Sequence, residues 1–216
     1  MNVKKMFIIS VILMFLLVPA SFAADGDFEI PQVSKDITVK DDASLVIIEE
    51  IQYDIDGSVA GVYRDISKRE GQAITDISVE TPGYYNSYQV EEDHNSTKIK
   101  VWLYTDEEKT QQTSDANVSV KYKYTMSDAV SFNFNVAVLN YRTWGEEWAT
   151  KVDHLESVIH IPGSKDNVEF KNNPEDNVVS SRWTSDDTLT TKVDNIDAYT
   201  SFEQIITMPA SYFKNN

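Results

Sequence analysis

The feature that most constrains this chain is the period-two alternation in residues 44–67, where two β-branched runs flank an Asp56-Gly57 pair. Leu45, Ile47, Ile51, Tyr53 and Ile55 fall on one face of an extended strand, and Val62 and Ile66 do the same after the break. Such a face must be buried against a second layer. Asp-Gly between alternating runs predicts a two-residue β-hairpin turn. In that register Glu49 stands directly opposite Arg64 on the apolar face, so the sequence predicts a partly buried ion pair that fixes the pairing. Charges set in a cleft are also what a functional site uses, which marks Arg64 a second time.

The rest of the chain repeats the pattern. Val118, Val120, Tyr122, Tyr124 and Met126 alternate with polar residues, and so do Val130, Phe132, Phe134, Val136 and Val138. Only Ser127-Asp128-Ala129 separates the two runs, so they are expected to pair as an antiparallel hairpin. Residues 140–149, with Trp144 and Trp148, lack a strand period and read as a loop or one helical turn. About a dozen short strands, turn clusters throughout and no amphipathic helix predict an all-β fold. The architecture expected is an antiparallel β-sandwich with Greek-key or Ig-like connections. No repeat or linker divides it, so residues 24–216 are expected to form a single domain.

The first residues read as targeting rather than fold. Lys4 and Lys5 precede an apolar run from Met6 to Val18, and Ser21-Phe22-Ala23 supplies the small-x-small pattern of a cleavage site, which predicts a signal peptide over residues 1–23. The run is short for a membrane span, which takes ~20 apolar residues. Export fits a chain with no Cys only if its core is large enough to do without disulfides, and the remaining length is sufficient for that. Thiol catalysis and thiolate metal sites are excluded. The 35 acidic against 19 basic residues give a net charge of −16, which repels nucleic acid and anionic lipid surfaces.

Several blocks carry a family resemblance. Ile48-Glu49-Glu50-Ile51 and Gly61-Val62-Tyr63-Arg64-Asp65-Ile66 are followed by Tyr122-Lys123-Tyr124, by Trp144-Gly145 with Trp148, and by Val158-Ile159-His160-Ile161-Pro162. Together they resemble the N-terminal domain of the YciQ-like predicted membrane proteins, over roughly residues 28–163. The family commonly has Pro where Ser67 stands. The resemblance implies an extracytoplasmic domain of unknown function, in a family that continues into transmembrane helices. It leaves attachment through the N-terminal segment or association with a membrane protein as the expected links to a bilayer.

Catalytic chemistry finds little support. His154 and His160 share a strand face, but six residues at ~3.3 Å each put them about 20 Å apart, too far for one metal. Glu49 and Glu50 point to opposite faces, so they cannot be a glycosidase pair; Glu146 and Glu147, near Trp144 and Trp148, are the acids that fit that geometry. Asp54 and Asp56 begin a calcium-loop pattern that lacks its remaining ligands. No nucleophile elbow, phosphate loop or metal motif is present, so no cofactor and no enzyme activity are expected.

The expected function is non-enzymatic binding at the cell surface, to a protein or a glycan. The alternative is a carbohydrate-binding or carbohydrate-active protein whose ligand surface is Tyr84, Tyr85, Tyr88 and Trp102, since exposed aromatics stack on sugar rings. Asn95 and Asn117 stand in glycan-acceptor triplets.

Overall fold

A computed structural model describes residues 26–214; the expected signal peptide lies outside them. The chain is all-β. Its strands are β1 (Asp27–Val39), β2 (Leu45–Ser58), β3 (Gly61–Ser67), β4 (Ile74–Glu80), β5 (Tyr85–Glu92), β6 (Ser96–Tyr104) and β7 (Ser114–Met126). They continue as β8 (Val130–Asn133), β9 (Val136–Trp144), β10 (Val152–His160), β11 (Glu169–Asn173), β12 (Val178–Trp183), β13 (Thr188–Ile196) and β14 (Phe202–Pro209), ended by a short 3-10 turn, Ala210–Tyr212.

One layer is a seven-stranded sheet in the order β12-β13-β10-β1-β2-β7-β4, antiparallel except for the parallel pair β1–β10. The facing layer is split into a four-stranded sheet, β11-β14-β9-β8, and a three-stranded one, β3-β6-β5. Side chains join the layers from both parts: Arg64 on β3 reaches Glu49 on β2, and Gln204 on β14 donates to Thr191 on β13. Each inward face follows the alternation, with Leu45, Ile47, Ile51, Tyr53 and Ile55 all buried on β2 and Val62 and Ile66 on β3.

Residues 44–67 nevertheless do not form a hairpin. β2 pairs with β1 and β7, and β3 pairs with β6 in the other layer. The Asp-Gly signal marks a β-bulge instead: Gly57 has φ +77°, its N–H donates to Asp115 at 2.8 Å, and the register against β7 shifts between Ile55 and Ser58. The chain then crosses between layers at Val59-Ala60.

The second expected hairpin also fails. β7 pairs with β2 and β4, while residues 130–138 fold back on themselves through Phe134-Asn135, so β8 pairs with β9. That turn reverses the phase of the run: Phe132, Phe134 and Val136 are exposed, and Ala137, Leu139 and Tyr141 are buried. Residues 140–144, expected to be loop or helix, continue β9 as far as Trp144.

Candidate functional site

Where the second layer is split, β3 and β9 face each other without pairing. Among the described residues β3 is bonded only to β6, and β8 covers β9 only from Val136 to Leu139. The upper part of this gap is plugged by the segment after β9: Trp148 stacks on Trp144, ring centroids 4.7 Å apart, and on Tyr63 of β3 at 5.7 Å. The lower part is open. It forms a cleft of about 380 Å³ between Arg64–Ser67 on β3 and Leu139–Arg142 on β9, with Met126 and Ala129 also in its lining.

The cleft runs into a buried charge cluster. Arg64, 3% exposed, donates from Nε to Glu49 Oε2 at 2.8 Å, and Lys35 Nζ approaches Glu49 Oε1 at 2.7 Å from β1. One Arg64 nitrogen also donates to the Asp65 carbonyl, and it lies 3.4 Å from Glu147 Oε1. Aromatic rings enclose both cations. The Arg64 guanidinium carbon is 5.6 Å from the Trp144 centroid and 6.0 Å from that of Trp148, while Lys35 Nζ is 5.8 Å from Tyr141 and 5.9 Å from Trp144.

Burial and charge act in opposite directions here. Burial pushes the Glu49 carboxyl up, but Arg64 and Lys35 outweigh it and hold it below the usual carboxylate range. For Lys35 burial wins over the attraction of Glu49 and lowers the ammonium to about 8. Arg64 is held charged, because Glu49 more than offsets its burial. Around the cluster, burial raises the phenols of Tyr53, Tyr122 and Tyr124, and that of Tyr141 to about 12.

Glu147 is the member nearest solvent, with its side chain 24% exposed. Its carboxylate folds back over Gly145, where a Cβ would stand 2.0 Å from Glu147 Oε2. Only glycine leaves that space. Glu146 is exposed and does not join Glu147 as an acid pair.

The cleft also concentrates positive charge. Three of the four arginines of an acidic chain, Arg64, Arg69 and Arg142, line it together with Lys68. Arg69 donates to the Asp128 and Ala129 carbonyls, and Arg142 lies 3.5 Å from Glu203.

The aromatic candidates are divided by their register. Tyr85 pairs with Tyr104 and Ser87 with Trp102, which puts Tyr85, Trp102 and Tyr104 on one face of the three-stranded sheet. Tyr88 pairs with Val101 and turns to the opposite face, where its hydroxyl donates to the Ile77 carbonyl at 3.2 Å. Tyr84 and Tyr85 border a shallow depression with Pro82 and Asn86.

Asn95 is exposed in the bend before β6, and Asn117 is exposed on β7. His154 contacts Asp194 at 2.8 Å, and His160 lies 3.4 Å from Asp36. No group of three or more metal-ligating side chains occurs among the described residues.

Sequence comparison settles the family. The N-terminal domain of a predicted membrane protein family, DUF2207, matches residues 29–208. The chain belongs to that family. The DUF2207 match takes in both layers and every residue of the charge cluster. No curated protein matches the chain.

Among solved structures the DUF2207 domain is similar to an M1 zinc metallopeptidase from Deinococcus radiodurans, with TM-score 0.45, 5% identity, and coverage of 82% of this chain and 42% of that one. A putative protease from Parabacteroides distasonis gives 0.47, 9%, 86% and 41%, and native leukotriene A4 hydrolase from Saccharomyces cerevisiae gives 0.49, 10%, 83% and 29%. The chain thus spans less than half the length of each, and likenesses this distant carry nothing about chemistry.

Proposed function

We propose that this is an extracytoplasmic, non-enzymatic binding domain, and that its ligand is an extended acidic peptide segment held in the cleft between β3 and β9. The observation that carries the reading is the split layer. Two unpaired strand edges face each other across a space one strand wide, with the charged Arg64 at its floor. A free strand edge is a template for an added strand, in which main-chain hydrogen bonds supply affinity and side-chain pockets supply selectivity. The open length, Arg64–Ser67 on one side, is about 10 Å at ~3.4 Å per residue, room for a three- to four-residue segment.

Charge complementarity selects the class of segment. Arg64, Lys68, Arg69 and Arg142 meet three acids in the lining, Asp65, Glu147 and Glu203, so the cleft is locally positive on a chain of net charge −16. An acidic side chain reaching Arg69 and Arg142 gains charge-assisted hydrogen bonds worth about 1.5–3 kcal/mol each.

The test is fluorescence anisotropy with labelled heptapeptides carrying Asp or Glu at the centre, against the same peptides carrying Lys. Acidic peptides are expected to bind, and Arg142→Ser with Arg69→Ser to weaken them at least tenfold. Equal binding of acidic and basic peptides, or no effect of the two substitutions, rejects the reading. The carbohydrate reading now rests on Tyr85, Trp102 and Tyr104, which share a face, and a glycan array with Trp102→Ala as control decides it.

A further inference from the structure

The β8–β9 hairpin is unlike the rest of the surface. Phe134 at its tip is 94% exposed with φ +52°, and Phe132 and Val136 on either side are also exposed. From Ala129 to Tyr141 the chain carries no charge, although a quarter of its residues are charged overall. Asn133 and Asn135 flank Phe134, so the tip is an aromatic ring set between two neutral amides.

The hairpin also holds the end of the domain. The Ala210 N–H donates to the Asn135 carbonyl at 2.9 Å, and Phe213 meets Phe132 edge-to-face at 5.3 Å. The last described residues therefore leave the sandwich beside the projecting tip.

We propose that this hairpin tip enters the interfacial zone of a lipid bilayer and orients the domain on the membrane. Three observations select lipid as the occupant. The exposed apolar group is convex and small: an aromatic side chain buries about 150–250 Å², against roughly 800 Å² per partner in a stable protein interface. Its neutral amide flanks suit the headgroup region, where a ring sits with polar groups beside it. The family is one of predicted membrane proteins, and the chain's last described turn packs against this same hairpin. The net charge of −16 disfavours anionic lipid and leaves a zwitterionic surface as the fit.

Because the chain has no Cys, Asn133→Cys in the full chain takes a single environment-sensitive fluorophore. Val179→Cys, on exposed β12, is the control. With phosphatidylcholine vesicles, the label at 133 is expected to shift to the blue and to be quenched by nitroxides on the acyl chains, while the label at 179 is not. Phe134→Ser in the Asn133→Cys background is expected to reduce that quenching at least fivefold. The N-terminal apolar run is common to every variant, so it cannot produce a difference between them. Equal quenching at the two sites overturns the proposal, as does quenching at 133 that Phe134→Ser leaves unchanged. A lipid-free blue shift that grows with protein concentration assigns the tip to a second copy of the chain and also overturns it.

Discussion

Glu49 and Arg64 meet across the two layers of the sandwich, Nε to Oε2 at 2.8 Å, on strands that do not pair with each other. The contact thus ties the facing sheets together at the place where one of them is split. Lys35 completes it from β1.

Removing Glu49 leaves two buried cations without their shared partner. Glu49→Ala is expected to cost about 3–5 kcal/mol in denaturant unfolding, whereas Lys35→Met, Glu49→Leu and Arg64→Met combined are expected to be near neutral. A loss below about 1 kcal/mol for Glu49→Ala contradicts the cluster's burial.

Lys35 gives the domain a pH signature. Its ammonium is lowered to about 8 in the folded chain from 10.5, so between those values the unfolded chain binds the extra proton and stability rises with pH. The gain is complete above 10.5 and is lost as pH falls through 8. Its full size is roughly 3 kcal/mol. The buried tyrosines act oppositely only above about 10, where their raised phenols resist ionisation that the unfolded chain undergoes. Stability of the wild type minus that of Lys35→Met, measured from pH 7.5 to 9.5, is expected to climb with pH; a flat difference contradicts the lowered ammonium.

Glu147 occupies the place at Arg64 that a ligand carboxylate would take. Glu147→Gln is expected to lower stability modestly, since it leaves the cluster one positive charge in excess, and to tighten binding of the acidic heptapeptides about tenfold, or ~1.4 kcal/mol. Gly145→Ala is expected to act in the same direction by displacing the carboxylate. Weaker peptide binding in both variants would mean that Glu147 supports the ligand instead of competing with it.

The bulge at Gly57 is the device that turns β2 away from a hairpin. With φ +77° there, Gly57→Ala is expected to cost about 1–2 kcal/mol by thermal or chemical unfolding, and Gly57→Asn less. Equal stability of the alanine variant would contradict the left-handed backbone.

The alternation on β2 and β3 was legible because burial follows the strand period whichever strand lies alongside. For that reason inward-facing Glu49 and Arg64 could be singled out although the hairpin that paired them does not exist. Asp-Gly fits a turn and a bulge equally, since both use a positive φ at glycine, and only long-range pairing with β7 separates them. Lys35 was missed for a local reason. Ser34-Lys35-Asp36 reads as polar, yet the period carried back from Val39 and Ile37 puts Lys35 and Val33 inward, where both are buried. Phe132 and Phe134 were misjudged in the other direction: the phase of β8 is set by a turn at Phe134-Asn135 that has none of the usual turn residues at its first position. Arg69 and Arg142, far apart in sequence, come together only through the split layer.

The parallel pair in the seven-stranded sheet governs when the fold can be completed. β1 acquires one neighbour at once, because β2 follows it directly, but its other edge waits for β10, and Ile37 lies beside Ile159. A chain emerging from its N-terminus therefore holds the edge of β1 open until about three-quarters of it has appeared. During that interval an uncovered apolar strand is exposed to other chains. Closing so long a loop is slow compared with hairpin formation, and assembly is expected to be limited by the arrival and docking of β10.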